Sequence, residues 1–246
     1  MLLADHLASA PYTLSMSSGF FGFYAHAGML SALLDSGLAP ARVVGSSAGA
    51  LVGGCHASGL SKEEIKDLLF GLRREDFWDL RPGLGLLAGN RMDALLREAL
   101  PVHDFQFLHI PFACSVFKLS SRTTEVIQDG DLPLALRASA ALPVLFQPVK
   151  IAGVAYMDGG ILDRPAFAPL EAQERTLYHH LSSRSPFRIG PGPEPEPREI
   201  PPGVHVLNLG SLPRLSPFRL EEGPKSWEIA RERTLKALES PFQKPL

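Results

Sequence analysis

The chain has 246 residues, 45% hydrophobic and 20% charged, with a formal net charge of −2. That length and composition suit one domain over residues 1–246, and the near-neutral balance excludes the basic footprint of a nucleic-acid binder. Two isolated cysteines, Cys55 and Cys114, make neither a disulfide framework nor a zinc site and read as small buried hydrophobes.

Met1 to His6 lacks a basic region leading into an apolar core, so no secretory signal is read there. No run reaches the roughly 18 apolar residues of a membrane span. A cytoplasmic protein is the expectation, with peripheral contact to a membrane surface left open. Residues 12–16, Tyr-Thr-Leu-Ser-Met, read as a first strand. A turn bearing Ser17, Ser18, Gly19, Phe20, Phe21 and Gly22 follows, then a helix from Ala25 to Ser36 ended by Gly37. A strand, a glycine-bearing turn and a helix together present backbone N–H groups to an anion. With no G-K-[ST] after it, the turn suits an oxyanion better than a nucleotide phosphate.

Arg42 to Val44 reads as the second strand. It leads into Gly45-Ser46-Ser47-Ala48-Gly49, a G-x-S-x-G pattern followed by a glycine- and alanine-rich helix to Ser58. This is the pattern of a nucleophile elbow, in which the serine sits on a sharp strand-to-helix turn and the flanking glycines remove side chains that would clash. Ser61 and Glu64 form a capping box for an amphipathic helix carrying Ile65, Leu68, Leu69 and Leu72. Residues 76–90 read as an apolar loop whose Phe77 and Trp78 either cover a pocket or plug the core, and a helix spans about 91–100. Pro111 to Lys118 is a strand with Thr123 to Gln128 as its hairpin partner, and Leu134 to Ala141 is a short helix. Two short strands, Val149–Ile151 and Val154–Met157, deliver the chain to Asp158-Gly159-Gly160, where a tight turn frees a carboxylate to face a neighbour. Residues 164–202 hold the one break in composition. The Pro- and Gly-dense part, about 182–202, reads as a surface loop. A strand at 204–209 and a helix from Pro224 to Glu239 close the chain. Alternating strands and helices indicate an α/β fold with a mostly parallel sheet.

A serine nucleophile needs a base, an oxyanion hole and a cavity. Two readings of the base are open on these residues: a direct Ser47–Asp158 partnership, or a Ser47–Asp158–His205 triad in the chain order of α/β-hydrolases.

Four segments, in order and at matching spacing, resemble the patatin-like phospholipases: Ser17–Gly22, Gly45–Gly49, Arg137-Ala138-Ser139-Ala140-Ala141-Leu142-Pro143 with Phe146 and Pro148, and Asp158–Pro165. The resemblance covers residues 12 to about 168 and, more loosely, 204–209. It implies a three-layer α/β/α sandwich and hydrolysis of lipid carboxylic esters through an acyl-enzyme. It also implies a dyad of Ser47 as nucleophile and Asp158 as base, with no metal or cofactor. The oxyanion hole is then expected from Ser18, Gly19, Phe20 and Gly22, the elbow glycines are Gly45 and Gly49, and Phe20, Phe21, Phe77 and Trp78 are candidate substrate contacts. Ser17 and Ser18 stand where the family most often has glycines, and Phe21 where a basic residue is frequent. An inactive lipid-binding protein of the same fold is the alternative that the serines suggest.

Overall fold

The computed structural model describes residues 1–182, 196–197 and 199–242. Most of the expected 182–202 loop, residues 183–195 and 198, therefore lies outside the described residues.

The main sheet is built around five parallel strands. In spatial order they are β10 (Val204–Asn208), β9 (Thr176–His180), β1 (Thr13–Met16), β2 (Arg42–Ser46) and β4 (Phe112–Lys118). Two antiparallel strands, β8 (Val154–Asp158) and β7 (Val149–Ile151), continue it beyond β4, and β5 (Thr123–Ile127) pairs with β4 off this path. Strands buried on both faces read as near-continuous apolar runs, which is why β1 and β2 are legible in the sequence. One face carries Leu14, Met16, Val43, Phe112 and Leu177. These join one core with α2 (Phe23–Asp35), α3 (Ala48–Ala57) and α7 (Gly223–Leu238). The same core takes residues from α1 (Leu3–Ala8), α4 (Lys62–Gly71), α5 (Asn90–Ala99) and α6 (Leu132–Ser139). On the opposite face Val44 and Ala113 pack with Ala166, Ser15 Oγ donates to the Pro165 carbonyl at 2.7 Å, and Phe167 lies against Tyr178. The turn-rich stretch 159–174 thus covers that side.

Most expected elements are present within a residue or two. The α4 capping box is made in both directions, with Ser61 N–H donating to Glu64 at 2.8 Å and Glu64 N–H donating to Ser61 at 3.2 Å. Three departures have physical reasons. The 76–90 loop contains β3 (Gly85–Leu87), which pairs in parallel with β6 (Val144–Phe146), a three-residue strand too short to show a period. The N-terminal helix α1, six residues long, is likewise too short to announce itself in the sequence. The region from 164 to 202 contains β9, a fully buried central strand. Its Thr-Leu-Tyr-His-His sequence looks too polar for the interior. Both histidines have a partner on one ring nitrogen, however: His179 Nδ1 lies 2.8 Å from His26 Nδ1, and His180 Nδ1 lies 3.0 Å from the Tyr178 hydroxyl. Burial pushes the His26 imidazole down to about 3 and lowers that of His179 well below its ordinary value, so both stay neutral.

Candidate active site

Ser47 sits between β2 and α3 with φ 52 and ψ −113, a backbone conformation that costs a non-glycine residue about 1–3 kcal/mol. The surroundings enforce it. A Cβ on Gly49 would lie 2.1 Å from the Met16 carbonyl oxygen, and one on Gly45 would lie 2.5 Å from the Ala50 nitrogen. Only glycine lets α3 start this close to the sheet.

Asp158 arrives from a strand 111 residues away. Strand β4 brings the two together, pairing Ser115 with Ser46 of β2 on one side and Val116 with Asp158 of β8 on the other. Ser47 Oγ donates to Asp158 Oδ2 at 2.6 Å, and the Gly160 N–H donates to Oδ1 at 2.8 Å. Asp158 is 3% exposed. Burial pushes its carboxyl up to about 6, against the Ser47 and Gly160 hydrogen bonds and the Arg164 charge, which favour the ionised form. The turn after it is as tight as the elbow, since a Cβ on Gly159 would lie 2.1 Å from the Ser115 carbonyl oxygen.

The third segment contributes a residue whose role the sequence pattern does not reveal. Ser139, at the end of α6, accepts the Ser47 backbone N–H at 2.9 Å and donates its own proton to the Ser115 carbonyl at 2.8 Å. It ties the elbow to β4. Asp163 plays a similar part below the aspartate turn. It accepts from the Ser115 hydroxyl at 2.5 Å and from the N–H groups of Phe167 and Ala168, both at 2.9 Å.

The 17–22 turn faces the dyad, and it narrows the expected donor set. The Ser18 N–H is spent on the Arg164 carbonyl at 2.8 Å, and the Gly22 N–H on the Gly19 carbonyl at 2.9 Å. Neither is left to meet an oxyanion. The N–H groups of Gly19 and Phe20 have no partner among the described residues. Ser17 has structural work here: its hydroxyl accepts the Leu181 N–H at 3.0 Å, and His26 Nε2 lies 2.8 Å from its carbonyl oxygen. Phe21, at φ 53, takes the strained position of the turn.

A cavity of about 550 Å³ opens beside the pair. Ser47, Asp158, Gly19 and Phe20 stand in its wall, and Phe21, Leu51, Leu69, Phe77, Met92 and Leu96 make most of the rest apolar. Of the four expected substrate contacts, Phe20, Phe21 and Phe77 line it. Trp78 does not; its ring packs 5.6 Å from Phe218 instead. His205 lies in β10, three strands from β2, with its ring 5.2 Å from Phe242. The structure therefore brings Ser47 and Asp158 together without it.

The profile of the patatin-like phospholipase family matches residues 14–170, which holds both members of this pair. The chain belongs to that family. Among curated relatives, an uncharacterized NTE family protein of Mycobacterium tuberculosis is 30% identical over 193 residues, 77% of this chain and 53% of that protein. Lysophospholipase NTE1 of Scheffersomyces stipitis is 25% identical over 168 residues, 65% of this chain and 11% of its own length. The chain thus spans about half the length of the mycobacterial relatives and a small part of the yeast enzyme. Among solved structures, VipD from Legionella pneumophila superposes with a TM-score of 0.64 at 16% identity, over 93% of this chain and 66% of that one. The type III effector ExoU gives a TM-score of 0.52, also at 16% identity, over 93% of this chain and 52% of the other. At that identity the two structures speak for the fold, an α/β sandwich shared across the patatin-like family.

Proposed function

We propose that this patatin-like protein is a serine acyl hydrolase that cleaves a carboxylic ester of a lipid. The observation that carries the reading is the 2.6 Å hydrogen bond from Ser47 Oγ to Asp158 Oδ2 in the wall of an apolar cavity. In the forward step Asp158 takes the Ser47 hydroxyl proton as Oγ attacks the ester carbonyl carbon. The oxygen of the tetrahedral intermediate is held by the Gly19 and Phe20 N–H groups. Collapse expels the alcohol, which leaves with the proton from Asp158, and the acyl group stays on Ser47. Water, deprotonated by the same carboxylate, then releases the fatty acid. A carboxylate of ordinary pKa near 3.9 is a weak base for a hydroxyl. Burial of Asp158 raises its basicity, and fixed backbone dipoles stabilise charge where it develops.

The cavity walls suit one acyl chain, and the yeast relatives are named lysophospholipases, so a single-chain phospholipid is the first substrate to offer. The alternative is an inactive lipid binder of the same fold, which Ser17 and Ser18 suggest; of these, the Ser17 hydroxyl has a structural partner in the Leu181 N–H. The test is covalent labelling by a fluorophosphonate together with turnover of p-nitrophenyl butyrate and lysophosphatidylcholine. Wild type is expected to label and turn over, and Ser47→Ala to do neither. Equal turnover by the two proteins ends the proposal.

A further inference from the structure

The first peptide unit of the 17–22 turn is held at both of its polar atoms. His26 Nε2 lies 2.8 Å from the Ser17 carbonyl oxygen, and the Ser18 N–H of the same unit donates to the Arg164 carbonyl at 2.8 Å. The Ser17 N–H donates to the His179 carbonyl at 3.3 Å, and the Ser17 hydroxyl accepts the Leu181 N–H at 3.0 Å. Of these four contacts, only the one from His26 is made by a side chain outside the turn. The next two peptide units carry the Gly19 and Phe20 N–H groups, which stand in the cavity wall without partners among the described residues. Rotation of the 17–18 unit would pass directly into their direction.

The proton positions follow from the partners. A backbone carbonyl only accepts, so the His26 proton is on Nε2 and is donated to Ser17. A neutral ring then leaves Nδ1 as an acceptor, so His179 Nδ1, 2.8 Å away, is the donor. His179 Nε2 is thereby a bare acceptor, and it has no partner among the described residues. Both side chains are fully buried, and their rings meet edge to face with centroids 4.7 Å apart. A buried acceptor left unpaired costs stability, so two apolar side chains would serve packing alone better. What the pair supplies is a proton fixed on Nε2 of His26 and aimed at the turn.

We infer that His26 is a positioning residue for the oxyanion hole: oriented by His179, it clamps the Ser17 carbonyl and so holds the Gly19 and Phe20 N–H groups toward the acyl carbonyl that Ser47 attacks. The purpose of the clamp rests on the acyl-hydrolase reading; the clamp itself does not.

Two variants divide the contacts of the ring. His26→Gln places an amide nitrogen where Nε2 lies and keeps the donor to Ser17. His26→Asn reaches only the Nδ1 position and keeps the contact with His179. With p-nitrophenyl butyrate, His26→Asn should lose about ten- to a hundredfold in kcat with KM held within about threefold, and His26→Gln should stay within a few-fold of wild type. A trifluoromethyl ketone, whose carbonyl oxygen becomes an oxyanion when Ser47 adds to its carbon, should lose affinity for His26→Asn by the same factor as kcat. Equal kcat in the two variants, a loss confined to KM, or unchanged ketone affinity overturns the inference. Nitrogen-15 spectra of histidine-labelled wild type need no variant. They should show the Nε2–H form of His26 and the Nδ1–H form of His179, both neutral from pH 5 to 8; the opposite form of His26 overturns the clamp. The amide resonances of Gly19 and Phe20, displaced in His26→Asn and near their wild-type positions in His26→Gln, read the clamp without turnover. An inactive wild type would therefore end the acyl-hydrolase reading while these resonances still decide the clamp, and resonances unmoved in His26→Asn overturn it.

Discussion

Asp158→Asn separates the chemistry of the site from its stability, because the two effects have opposite signs. The amide keeps the shape of the carboxylate. Its oxygen still accepts the Gly160 N–H, and its nitrogen faces Ser47 Oγ, which then serves as acceptor. What is lost is the base of the proposed mechanism. Removing a general base costs about 10²–10⁴-fold in turnover, and that is the loss expected for p-nitrophenyl butyrate. The wild-type profile should fall on the acid side with a midpoint near pH 6, the value to which burial pushes the carboxyl. Stability moves the other way. Asp158 goes from an ordinary 3.8 in the unfolded chain to about 6 in the folded one, so the folded state holds its proton more tightly. Its contribution is most favourable below pH 3.8 and is lost as pH rises through 6. At about 1.4 kcal/mol per pKa unit, the total is about 3 kcal/mol. The amide has no charge to bury. The variant is expected to exceed the wild type in unfolding free energy by up to about 3 kcal/mol at pH 8, and to match it near pH 3.5. Urea unfolding at the two pH values, beside the pH–rate profile, measures both. A variant that keeps turnover within a few-fold of wild type, or that is no more stable at pH 8, refutes the reasoning.

Two further changes probe the supporting structure. Ser139→Ala removes the acceptor of the Ser47 N–H and the donor to the Ser115 carbonyl, both in a fully buried place. It should cost about 1–3 kcal/mol in urea unfolding and slow turnover without abolishing fluorophosphonate labelling. Leu96→Trp adds bulk to the cavity wall. It is expected to lower kcat/KM for long-chain esters about tenfold or more while butyrate esters stay within a few-fold, as read from a chain-length series.

The local features of this protein are written in its sequence. The elbow is legible because Gly45 and Gly49 answer a local need, a strand turning into a helix with no room for a Cβ. The capping box of α4, the buried runs of β1 and β2, and the glycine turn after α2 are likewise set by residues close in the chain. Tertiary structure decided the rest. The partner of Ser47 could be Asp158 alone or Asp158 with His205 until β4 set Asp158 against the serine and β10 held His205 three strands away. Which N–H groups of the 17–22 turn stay without a partner among the described residues depended on Arg164, whose carbonyl takes the Ser18 donor from far along the chain. Strand β9 stays hidden in the sequence because its histidines become tolerable in a core only when His26 and Tyr178 supply partners. Sequence specifies a group and its local conformation. Which distant groups satisfy its hydrogen bonds, and how far burial shifts its charge, depend on what the fold packs against it.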